Sequence, residues 1–165
     1  MKMTYAPLGA LALALAACAP DPAPEPTEPA ATTAAGPEIP DGTFLLSPLT
    51  AAEVEAADLP DELGCAFAAG DDLLLAAKAF VGANQRGLGV MKINGFIETV
   101  QTPHTGGFDT MANRGEFEGR GLTVDVEPTG DNLAEMEGSR YDAQMTVTRV
   151  GADDQVIDGV WSCGP

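Results

Sequence analysis

The chain has 165 residues, with 25 Asp/Glu against 8 Lys/Arg and a formal net charge of −17. That length suits one modest domain plus a tail, and the anionic balance excludes a nucleic-acid surface, which needs clustered cations to displace counterions from phosphates. Aromatic residues are only 5% of the chain, so the core must be thin and built from a few large side chains.

Residues 1–17 combine Lys2 with an apolar run from Leu8 to Ala17. The charge and the run match the n-region and h-region of a signal peptide. The run is too short for a bilayer span, which takes about 20 apolar residues. Leu15-Ala16-Ala17-Cys18 resembles the bacterial lipobox. The resemblance implies that Cys18 is diacylated and becomes the mature N-terminus, held in the membrane by its acyl chains. Ala19 stands where an aspartate would imply retention at the inner membrane. The implied destination is therefore the outer membrane of a cell that has one, with the domain facing the periplasm.

Three cysteines are present, Cys18, Cys65 and Cys163. Giving Cys18 to lipid leaves an even pair in an oxidising compartment, which predicts a Cys65–Cys163 disulfide. Two free buried thiols are the plainer alternative. Zinc is a poor fit to one histidine and no Cys-x-x-Cys pair, and no metal or cofactor is expected.

Residues 18–40 read CAPDPAPEPTEPAATTAAGPEIP, with seven prolines and four acidic residues after the cysteine. Such a segment has no apolar periodicity and builds no core. It reads as a semi-rigid spacer that reaches roughly 70 Å at about 3.1 Å per residue. From Asp41 the composition changes. All six phenylalanines and the only tryptophan, Trp161, fall in 41–165, where seven Lys/Arg against 21 Asp/Glu leave −14.

Thr50-Ala-Ala-Glu53 is a capping-box pattern that opens a short helix to Ala57, stopped by Pro60. Beyond Leu63 the period becomes two. Cys65, Phe67 and Ala69 alternate, Gly70-Asp71-Asp72 turns, and Leu73 to Phe80 returns. Val90 to Gln101 reads as one strand broken by Asn94-Gly95, and Gly115 to Glu127 as another. Tyr141 to Thr148 and Val156 to Cys163 complete the set. Five or six strands after one short helix predict a mainly β fold. The expected form is a small antiparallel β-barrel or twisted sandwich, closed by the disulfide. Gly95, Gly119 and Gly121 read as bulges or bends where the sheet curls.

Catalytic signatures are weak. His104 lies in a loop, and the serines of the domain are Ser47, Ser139 and Ser162, none in a Gly-x-Ser-x-Gly elbow. Carboxylates are so numerous that some pair must exist, which removes the value of pairing as a signal. Asp71-Asp72 and Asp153-Asp154 sit where acidic residues favour turns, without the spaced ligands of a calcium loop. The chain therefore reads as non-enzymatic.

An interaction surface is the sharper candidate. Gly138-Ser139-Arg140-Tyr141 resembles the Ser-Gly-x-Arg/Lys-Tyr segment of the membrane-bound inhibitors of C-type lysozyme, and Cys65-x-Phe67 resembles the start of their domain. Those are small lipid-anchored, disulfide-bonded β-barrel lipoproteins. The resemblance implies that Ser139 and Tyr141, with Arg140 between them, line an inhibitory loop. The segment differs from the family's in having Glu137 for its serine and no following Lys-Gly. The alternative reading makes Tyr141 a core residue at the start of a strand. The partners expected are the membrane, through the lipid, and another envelope protein, for which a basic surface would suit the acidic domain. The leading expectation is a binding or structural module, with lysozyme inhibition as the alternative.

Overall fold

The computed structural model describes residues 41–60, 63–82, 84–113, 115–133 and 138–165. The signal segment, Cys18 and the Pro-rich spacer lie outside them. Within them the elements run β1 (Leu46–Ser47), α1 (Ala51–Ala56), β2 (Leu63–Ala69), β3 (Asp72–Ala79), β4 (Leu88–Ile93), β5 (Phe96–Gln101), α2 (Phe108–Asn113), β6 (Gly115–Gly119), β7 (Leu122–Pro128), β8 (Ser139–Arg149) and β9 (Gln155–Gly164). Strands β2 to β9 pair antiparallel, each with the next, and β9 pairs back onto β2. The result is a closed eight-stranded antiparallel barrel. Closure leaves no long unpaired edge.

The eight strands exceed the five or six expected. Val90–Gln101 is a hairpin, because Asn94 and Gly95 adopt φ of 53° and 81° between the paired residues Ile93 and Phe96. Positive φ at both central residues is what a tight two-residue turn requires. Gly115–Glu127 is likewise two strands, joined at Arg120-Gly121 with Gly119 opposite Leu122. Gly95 and Gly121 are thus turn residues, whereas the register shift of the β2–β3 pair lies between Phe67 and Ala68.

Cys65 and Cys163 stand directly opposite each other on the closing pair β2–β9, and they are bonded. The disulfide crosses the seam where the barrel's first and last strands meet, with 98 residues of separation.

Inward-facing residues fill the barrel. Phe67, Leu75, Met91, Phe117, Val124, Met145, Val147 and Trp161 are essentially without solvent exposure. The few large side chains expected from the composition are stacked there. Phe117 meets Trp161 edge to face, with ring centroids 6.4 Å apart.

The wall at β3 and β4 is covered on its outer side as well. Leu49, Val54, Ala57 and Leu59 pack over Leu73, Ala76 and Val90. This explains why Leu73 to Ala77 is a continuous apolar run rather than an alternating one. Thr50 caps α1 in a reciprocal capping box with Glu53, as its sequence pattern predicts. Glu53 also takes a 2.6 Å ion pair from Lys92 on β4, fixing the helix to the wall.

Candidate functional site

The antiparallel meander gives the barrel two different ends. At the turn end the connections between strands are short, and the segment before β1 closes the opening. The Asp153 amide donates to the Gly42 carbonyl at 2.8 Å, and Leu45 exchanges two bonds with Asn94, at 2.7 and 2.8 Å. The Gln155 side-chain amide donates to the Phe44 carbonyl. These contacts hold the Phe44 ring in the core cluster with only 4% exposure. The described chain therefore enters at this end.

At the loop end α2 forms the lid. Phe108, Met111 and Ala112 stand at i, i+3 and i+4, so one face of the helix is apolar. Met111 enters the core fully, while Phe108 and Ala112 pack half-buried at its edge. The helix start is fixed by the Phe108 amide donating to the Phe80 carbonyl at 3.1 Å. The Thr110 hydroxyl donates to the Gly107 carbonyl at 2.7 Å. Below it, Thr102 is buried and fully bonded: its hydroxyl accepts from the Gly87 amide at 2.9 Å and donates to the His104 carbonyl at 2.8 Å.

The lid does not cover the whole opening. Between α2 and the seam lies a pocket of about 310 Å³. Leu63 of β2, Phe108 and Ala112 of α2, and Cys163 of β9 give its apolar wall; Ser139 and Tyr141 of β8 give its hydroxyls. Gly138 admits the chain at this corner. Its φ is 110°, and a Cβ there would stand 2.6 Å from the Cys163 carbonyl oxygen. No charged side chain lies among the described residues of this lining.

The β8–β9 register sets Ser139 opposite Cys163 and Tyr141 opposite Trp161, two residues further along the strands. The Trp161 indole nitrogen is the one buried side-chain N or O atom among the described residues without a hydrogen-bond partner.

The three candidate interaction residues are divided by strand alternation. Ser139 and Tyr141 share the pocket side, whereas Arg140 is exposed on the opposite face, opposite Ser162, with its backbone amide bonded to Asn132 Oδ1 at 2.9 Å. Sequence reasoning missed the α2 wall. The signal available was the 108, 111, 112 spacing, hidden in a helix of six residues.

His104 is exposed and lines a separate depression of about 150 Å³ with Thr102, Pro103, Thr110 and Glu116. No serine lies among the described residues of that lining. Asp71-Asp72 and Asp153-Asp154 lie at or beside the connections of the turn end. Among the described residues no group of three or more His, Cys, Asp or Glu side chains is placed to hold a metal ion.

Comparison with protein-family models, with curated proteins and with solved structures finds no match. The pocket and its chemistry therefore carry the functional argument.

Proposed function

We propose that the protein is a lipid-anchored, non-catalytic binding module of the cell envelope, held at the outer membrane with its barrel in the periplasm. One observation carries this reading. The chain enters the barrel at the turn end, and the pocket opens at the loop end. Residues 41–47 therefore lie at the end opposite the pocket, and a partner at that mouth would not meet them. The seam disulfide suits an oxidising compartment and supports the same placement.

The test has two arms. Cys18→Ala is expected to move the protein from the membrane fraction to the soluble fraction. In-cell crosslinking of the anchored wild type, followed by high-salt washing, is expected to enrich one envelope component that is lost when residues 41–165 are deleted. An unchanged membrane distribution for Cys18→Ala overturns the anchor. Equal recovery with residues 1–40 alone overturns the binding module.

A second reading, inhibition of a C-type lysozyme, is favoured by the shared placement of Ser139 and Tyr141 on the pocket side of β8. The domain's charge of −14, from seven Lys/Arg against 21 Asp/Glu, would steer a basic enzyme towards it. Inhibition that survives raised salt and disappears in Ser139→Ala with Tyr141→Ala supports this reading. Inhibition that vanishes with salt alone reports only charge attraction and sinks it.

A further inference from the structure

We propose that the loop-end pocket binds a small, mainly apolar molecule that carries one hydrogen-bonding group and no negative charge. This inference deepens the binding-module reading and rests on it for its biological sense, although the pocket's geometry is independent of the lipid anchor.

Size gives the first bound. About 310 Å³ falls at the lower end of the range for small-molecule sites, and the mouth of a small barrel is a common place for them. The lining gives the second. Phe108, Ala112, Leu63 and the Cys163 half of the disulfide form a continuous apolar surface, with no described charged side chain to receive an ion. The apolar wall favours a mainly apolar ligand, and the domain's net negative charge disfavours an anion.

Its polar group follows from the hydroxyls. Ser139 and Tyr141, each with one, line the pocket. A hydroxyl both donates and accepts, so a single hydrogen-bonding group on an apolar frame suits the site, and a bare hydrocarbon does not.

The test uses the full chain with Cys18→Ser, which can be handled without detergent. The probe is prodan, a neutral naphthalene ketone whose absorption overlaps tryptophan emission. Trp161 is the only tryptophan, so energy transfer from it reports a probe within range of the barrel, and its loss in Ala112→Phe assigns that probe to the pocket. Saturable transfer is expected. Ala112→Phe, which fills the pocket, is expected to weaken binding at least tenfold. Tyr141→Phe keeps the ring and removes one hydrogen bond, for an expected loss of about fivefold. The anionic probe 1-anilinonaphthalene-8-sulfonate is expected to bind at least tenfold more weakly than prodan.

Circular dichroism and the mass of the oxidised protein establish folding. If Ala112→Phe does not fold, Tyr141→Phe decides. Absence of saturable transfer, equal affinity in the folded variants, or an anion bound as tightly as prodan overturns the proposal. If prodan fails while an envelope component is still captured, the small-molecule inference falls alone. If prodan binds and Cys18→Ala leaves the membrane distribution unchanged, the anchor falls and the pocket assignment stands.

Discussion

At one end of the barrel neighbouring strands turn in two residues, at 70–71, 94–95 and 120–121. At the other, the chain between strands runs through 80–87, 102–114 and 129–138. The short turns fix register and bring the wall together, and the Phe44 segment fills what opening remains. The long connections supply α2, the corner at Gly138 and the pocket. Tight turns spend every residue on pairing, whereas longer loops have side chains to spare for recognition. Tight turns are concentrated at the end where the described chain enters, and the pocket lies at the end opposite.

Three experiments would break or sharpen that division. The largest effect is expected from Cys65→Ser with Cys163→Ser, which serves both ends. Releasing a loop of this size should cost roughly 4–5 kcal/mol in urea unfolding and lower affinity for any pocket ligand, since Cys163 is part of the wall. A loss below about 1 kcal/mol would show that strand pairing alone holds the seam.

The next contrast separates the ends. Phe44→Ala should cost about 3–5 kcal/mol of stability by opening a cavity in the core cluster. Prodan binding by the molecules that remain folded should stay within twofold of wild type. Ala112→Phe should do the reverse, costing about 1–3 kcal/mol or less while closing the pocket. Equal effects of both substitutions on binding would mean that the two ends communicate.

The smallest effect belongs to the outer wall. The Lys92 ammonium, and after it the Thr50 amide and hydroxyl, lower the Glu53 carboxyl from 4.5 to about 2. Because the folded-state value is the depressed one, the stabilisation is complete above pH 4.5 and is lost as pH falls towards 2. Glu53→Gln lacks that titration. The stability gap between wild type and variant should therefore narrow across this window, as followed by thermal unfolding at a series of pH values. A constant gap would show that the ion pair contributes nothing to α1 docking.

Legibility in the sequence followed the range of the physical signal. The capping box of Thr50 and Glu53 acts over three residues, and it marked α1. The alternation in β7, β8 and β9 is a property of each strand alone, and it was readable for the same reason. The hairpins were harder, though their mark was present. Around Arg120-Gly121 the inward phase runs 115, 117, 119 and then 122, 124, 126, slipping by one at the turn. A bulge-like reading of the glycines hid that slip, and two strands were counted as one. The cysteine pair was legible by arithmetic, and its place on the first and last long strands by their positions in the chain, whereas the direct Cys65–Cys163 register depended on closure of the whole sheet. Of the pocket only Ser139 and Tyr141 were marked, through the Gly138–Tyr141 segment. Leu63, Phe108 and Cys163 come from distant stretches, and no local periodicity records that they meet it.

The seam has a consequence for survival among proteases. With β2 and β9 both hydrogen-bonded and covalently joined, β2–β9 form a ring in which every strand has two neighbours. A single cut in the 129–138 connection leaves two fragments still linked through Cys65 and Cys163, with the remaining strand pairs intact. Release of either fragment needs a second cut or a reductant. A nick in one loop would thus show as a new chain end on a reduced gel, while the unreduced molecule would migrate as a single species.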